Sequence, residues 1–170
     1  MRKNVYLLDL GTGTDRGLLP LACGLIAAYA KTIPIINNSC NISIHMLNEG
    51  LDELIDDIQN PYVVGVSCYV WNFYGSVEIS KRLKERYPEV KIIWGGPSIP
   101  AKAHRINSFF EKHLYLDVAV HLEGELTFAD LLEHYLSGHD LKDCAGITFR
   151  DGKDVITNPM RVRISDFTSI

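Results

Sequence analysis

The chain has 170 residues, 46% hydrophobic and 22% charged, with a formal net charge of −4. That is enough chain for one domain with its own core, and the charge excludes a basic field suited to nucleic acid. The longest apolar run, Leu18 to Ala30, is 13 residues interrupted by a Pro and a Gly, too short to span a bilayer.

In chain order, Asn4–Leu10 reads as a first strand, with no small-residue cleavage site of a secretory leader. Leu18–Lys31 reads as a helix apolar nearly all round, and so as a buried one. Asn41–Leu47 alternates Ile42, Ile44 and Met46 as a second strand, and Leu51, Leu54, Ile55 and Ile58 share one helical face. "YVVGVSCYV", Tyr62–Val70, is a third strand, apolar throughout as a strand covered on both faces is. Phe73–Tyr87 is a helix that stops at Pro88, and its basic group Lys81–Arg86 reads as a solvated face. Val90–Trp94 is a fourth strand, ended by "GGP". Ile106, Phe109, Phe110 and His113 mark a helix, Asp117–His121 a fifth strand, and Phe128, Leu131, Leu132, Tyr135 and Leu136 a further helix. A hairpin follows, "AGITFR" and "DVITN" turning at Asp151-Gly152.

Alternating strands and helices predict an α/β fold, flavodoxin-like or Rossmann-like. The expectation is a five-stranded parallel sheet of order 2-1-3-4-5, helices on both faces, and a C-terminal hairpin. Residues 1–142 form the α/β domain in this reading. Residues 143–170 form the hairpin and a linker, "PMRVRISDFTSI", toward a further domain. In such a sheet the ligand crevice lies over the carboxyl ends of strands 1 and 3. The loops "GTGTDRG", "SCYVWN" and "GGPSIP" therefore frame the candidate site. Four cysteines, Cys23, Cys40, Cys68 and Cys144, lie far apart with no CxxC spacing. They read as reduced thiols of a cytoplasmic protein, and no local iron–sulfur motif exists.

The glycine turn after strand 1 admits several readings. As GxGxxxG it misses the dinucleotide spacing by one residue, and the nearest candidate for the acid that should end strand 2 about 20 residues on, Glu49, lies 38 residues past Gly11. "DLGTGT" matches the start of a class I methyltransferase motif, but Asp15 replaces its last glycine. A ligand-free tight turn is the third reading.

"VGVSCYVWNF" (Val64–Phe73), "KIIWGGPSIP" (Lys91–Pro100) and "DVAVHLEGELTFADLL" (Asp117–Leu132) occur in that order. Together they resemble the N-terminal cobalamin-binding domain of class B radical S-adenosylmethionine enzymes. "SCYVWNF" is most similar to the methylases of carbapenem biosynthesis. The helix "LLPLACGLIAAYAK" and the closing "GITFRDGK…RISDFTSI" resemble the family's first helix and its passage into the radical barrel.

The resemblance implies a chain that binds cobalamin (vitamin B12) and serves as the methyl-carrier module of a radical methylase, without turnover of its own. S-adenosylmethionine and a 4Fe–4S cluster would belong to the missing barrel, the expected partner alongside cobalamin; no nucleic acid, membrane or protein-bound metal is implied. The implied contacts are Gly11, Thr12 and Gly13 after strand 1. They continue with Ser67, Cys68, Tyr69, Val70, Trp71 and Asn72 after strand 3, Gly95, Gly96 and Pro97 after strand 4, and His121, Glu123 and Gly124 after strand 5.

Many cobalamin domains carry Asp-x-His-x-x-Gly after strand 1, where the His ligates cobalt. Here Asp9-Leu10-Gly11 puts Gly in that place, so a histidine-free lower cobalt face is implied, with Trp71 beside it. Core packing is the competing role for Trp71 and for Cys68. His121 reads as a polar strand-end group or a contact to a corrin amide. "LEGE" departs from the family's usual "GEGE" at Leu122, and Glu125 sits near a helix N-terminus, where its charge is favourable. A cofactor-free scaffold domain of the same fold is the alternative function.

Overall fold

The computed structural model describes residues 1–11, 19–46 and 50–163. Seven strands form one sheet in the order β2-β1-β3-β4-β5-β6-β7. The strands are β1 (Lys3–Asp9), β2 (Cys40–Met46), β3 (Pro61–Ser67), β4 (Lys91–Gly95), β5 (Val118–Val120), β6 (Ile147–Asp151) and β7 (Asp154–Thr157). Strands β1 to β5 are parallel and in the expected order. The hairpin joins β5 antiparallel, through Ala119 opposite Thr148, and lengthens the expected five-stranded sheet to seven.

Side chains alternate across the strands, so each strand feeds two cores. Tyr6, Leu8, Val64, Val66, Ile92 and Trp94 enter one. It is closed by α3 (Leu51–Asp57), α4 (Phe73–Arg86) and α5 (Ala103–Lys112), through Leu54, Ile79 and Phe110. Val5, Leu7, Val63, Ile93 and Val118 enter the other. It is closed by α1 (Leu21–Thr32), α2 (Pro34–Ser39) and α6 (Gly124–Ser137), through Ala27, Ile36 and Leu131. Burial on both faces explains the unbroken apolar run of β3. Gly65 in that strand is a packing requirement, since a Cβ there would stand 2.8 Å from Leu7 Cδ2 and 3.2 Å from Phe128 Cε2.

Three expectations need correction. The first helix starts at Leu21, and it is not buried all round: Cys23, Ala27 and Ala30 face the core, while Leu21 and Leu25 are exposed. Strand β3 ends at Ser67 rather than Val70, because the next residues turn away to enter α4. The short helix α2 was not anticipated, although Pro34 at its first position is a standard start signal. Leu18, Leu47 and Glu49 lie outside the described residues.

Past β7 the chain folds back onto α6. The Arg161 guanidinium pairs with Asp130, and its Nε donates to Thr127 Oγ1 at 3.2 Å. Asp130, His134 and Cys144 bring ligand-type atoms within 4.8 Å of one another. Arg161 already supplies the positive charge at that cluster.

Candidate functional site

A cavity of about 580 Å³ opens over the carboxyl ends of the parallel strands, on the α1/α6 side of the sheet. That is the size range of small-molecule sites. Its floor and walls are mostly apolar, including Leu7, Ile26, Val120 and Phe128. The predicted residues Ser67, Tyr69, Gly95, Gly96, Pro97, His121, Glu123 and Gly124 all line it. Thr12 and Gly13 lie outside the described residues, and Gly11 is described but is not in the lining.

The strand-3 loop divides into buried and exposed members. Cys68 points the opposite way from the cavity, into the core under α4 and α5, and burial pushes its thiol up to about 11. Asn72 is also buried and acts as a staple. Its Oδ1 accepts from the Tyr69 N–H and its Nδ2 donates to the Ser67 carbonyl, both at 2.8 Å. Ser76 Oγ closes the turn by donating to the Asn72 carbonyl at 3.0 Å. Held this way, Val70 and Trp71 project outward, 80% and 60% exposed. The Trp71 ring stacks on Tyr69 with centroids 4.5 Å apart and planes 12° from parallel. The exposure rules out core packing for Trp71. The buried tryptophan is Trp94, whose Nε1 donates to Ser80 Oγ at 2.9 Å.

Gly95 and Gly96 are small for different reasons. Gly96 has φ +107°, and a Cβ there would sit 2.7 Å from the Cys68 carbonyl oxygen. Its lack of a side chain is demanded by the crossing of the two loops. At Gly95 a Cβ would meet only Val120 Cβ, at an ordinary 3.8 Å. The protein does not need glycine there, and the missing side chain leaves room in the cavity.

The strand-5 side is polar and strained. His121 is buried; its Nε2 shares a 2.8 Å hydrogen bond with Thr148 Oγ1, which in turn bonds Thr157 Oγ1 at 2.9 Å. Burial lowers the His121 pKa from its ordinary 6.5. Leu122 has φ +60°, the left-handed region that favours glycine. Glu125 Oε2 is buried with no hydrogen-bond partner. The far rim comes from the tail, with Met160 and Arg163 in the lining and Arg163 Nε 3.8 Å from Glu123 Oε1. Glu125, Met160, Arg163 and the wall residue Cys23, whose thiol burial pushes up to about 12, were not anticipated as lining residues. Pattern reasoning had no way to bring 160 and 163 back over strand 5.

The family model described as "B12 binding domain" matches residues 13–132. The chain belongs to this family. It is 37% identical over 164 residues to the cobalamin-dependent radical SAM methyltransferase TokK of Streptomyces tokunonensis, covering 95% of this chain and 23% of that protein. It is 36% identical over 156 residues to the 2-(S-pantetheinyl)-carbapenam-3-carboxylate methyltransferase of Streptantibioticus cattleyicolor, covering 91% and 22%. The solved structure of OxsB, a cobalamin-dependent S-adenosylmethionine radical enzyme with aqua-cobalamin and S-adenosylmethionine bound, shares the fold. Its TM-score is 0.71 at 20% identity, over 95% of this chain and 23% of that one. The chain thus spans under a quarter of the length of these relatives. The resemblance carried by "VGVSCYVWNF", "KIIWGGPSIP" and "DVAVHLEGELTFADLL" holds, and the dinucleotide and class I methyltransferase readings of the glycine turn give way to it.

The cavity of this B12-binding domain suits such a group on three counts. Its walls are apolar, Gly95 leaves a place that a Cβ would fill, and Glu125 Oε2 is an acceptor that no protein donor meets. Among the described residues, no helix is long and apolar enough to cross a membrane.

Proposed function

We propose that this chain binds cobalamin over the carboxyl ends of β1, β3, β4 and β5. In this reading it is the methyl-carrier module of a larger radical S-adenosylmethionine methylase. The observation that carries the reading is the agreement of the family match with a crevice lined by eight of the residues the motifs singled out. Bound cobalamin would supply a cobalt centre able to accept and hand on a methyl group. The protein binds, orients and excludes water.

Ser67, Tyr69, Pro97, His121, Glu123 and Gly124 would line the bound cofactor, and Gly95 leaves it space. Trp71, stacked on the cavity residue Tyr69, would lie against the lower face of cobalt, where an indole excludes water and offers no lone pair to the metal. Two features support a histidine-free lower face: Gly11 holds the place of the usual ligand, and His121 already engages Thr148. Residues 143–170 would lead toward the barrel, which carries S-adenosylmethionine, the cluster and the substrate site. Four unpaired, buried cysteines support a cytoplasmic setting.

The competing reading, a scaffold that takes no cofactor, rests on Leu122, whose side chain occupies the cavity rim. Titration with hydroxocobalamin separates the two. A shifted cobalamin absorbance spectrum and quenched tryptophan emission are expected, and neither would appear for a scaffold. Trp71→Ala should change the electron paramagnetic resonance spectrum of the reduced cobalamin complex; an unchanged spectrum rejects its place beside cobalt.

A further inference from the structure

The first turn of α6 holds a carboxylate oxygen to which the fold supplies no donor. Glu125 lines the cavity, and its Oε2 is buried without a partner. The neighbouring walls, Ile26, Val120 and Phe128, offer no donor. A buried carboxylate oxygen left unbonded is costly, and native proteins keep such atoms for a ligand or a strained function. Other polar groups of this rim are already engaged: Glu123 faces Arg163, and His121 faces Thr148.

We infer that Glu125 is a cofactor-binding residue, whose carboxylate accepts a hydrogen bond from a neutral N–H or O–H donor of the ligand. This rests on the cobalamin reading above. Two parts of cobalamin carry such donors: the primary amides around the corrin ring, and the hydroxyls of the nucleotide tail. A hydrogen bond to a charged acceptor in a dry site contributes strongly to affinity. Oε2 is already shielded from solvent while the rest of the half-buried carboxyl is not, so the ligand meets less further cost at that oxygen. The ligand-free fold, by contrast, gains from this carboxylate only the favourable placing of its charge at the start of α6.

The test uses the full chain as wild type, Glu125→Gln and Glu125→Met, each titrated with hydroxocobalamin and with cobinamide, which lacks the nucleotide tail. Glu125→Met should weaken hydroxocobalamin binding about ten- to hundredfold, the range for a hydrogen bond to a charged group. Glu125→Gln, which keeps one acceptor, should fall between. An equal loss with cobinamide puts the donor on the ring; a loss confined to hydroxocobalamin puts it on the tail, and both support the assignment. Thermal midpoints of the ligand-free variants should stay within about two degrees of the wild type, since the fold loses only a charge at the start of α6. Wild-type affinity in Glu125→Met overturns the assignment alone, and so does a ligand-free Glu125→Met chain that melts several degrees lower. Wild-type chain that binds neither corrinoid would overturn the functional reading and this assignment with it.

Discussion

The two rims of the crevice are built on opposite principles. On the β3 side the Asn72 amide meets the Tyr69 N–H and the Ser67 carbonyl, and the Ser76 hydroxyl meets the Asn72 carbonyl. That rim is a hydrogen-bonded turn carrying an aromatic stack, with Tyr69 toward the cavity and Trp71 toward solvent. On the β5 side a leucine sits in a glycine's conformation and a carboxylate oxygen has no partner. Strain and unmet polarity persist only where surrounding structure enforces them, and they cluster at functional sites. One rim is thus complete in the ligand-free protein, and the other is complementary to something outside it.

Removing the Asn72 staple should break the comparison most. Asn72→Ala removes the Asn72 partner of the Tyr69 N–H and of the Ser67 carbonyl, both part-buried, a loss of about 2–4 kcal/mol from two such groups. Urea denaturation checks it, and a loss under about 1 kcal/mol would mean the turn is held by other contacts.

The paired glycines come next. Gly96→Ala forces a positive φ on alanine and a contact with the Cys68 carbonyl, which should cost about 2–3 kcal/mol. Gly95→Ala should change stability by less than about 0.5 kcal/mol, as a substitution away from special features does. Its effect should appear in cobalamin affinity instead. Equal melting losses for the two would refute the distinction.

The smallest effect sharpens the β5 rim. Leu122→Gly relieves about 1–2 kcal/mol of left-handed strain and gives back about 0.5–1 kcal/mol to unfolded-chain entropy. A net gain of about 0.5–1 kcal/mol is expected, read as a raised urea midpoint. A destabilised variant would show that the leucine side chain contributes more by packing than its backbone loses.

Much of this was legible in the residues. Period-two alternation in Ile42, Ile44 and Met46, and the unbroken apolar run of β3, carried strand identity and sheet order. The loops "SCYVWN" and "GGPSIP" pointed to one end of one sheet, because parallel strands deliver their following loops there; the contacts after strand 5 came only from the family resemblance, and most of "GTGTDRG" lies outside the described residues. Within those loops the choice of inward and outward side chains was not legible. Cys68 and Tyr69 are adjacent, yet one enters the core under α4 and the other the cavity. Helix α1 was over-buried in the reading, since composition alone cannot say that Leu21 and Leu25 face away from the sheet.

Local pattern thus set the strand order, the family and the end of the sheet where a ligand would sit, since hydrophobic periodicity and motif spacing are properties of neighbouring residues. Tertiary contact alone separated Gly95 from Gly96, put Trp71 outside and Trp94 inside, and returned Met160 and Arg163 to the crevice. It also left Glu125 Oε2 buried without a donor. Each of these depends on which distant backbone or side chain arrives at a few ångströms, and that is fixed only when the helices close over the sheet.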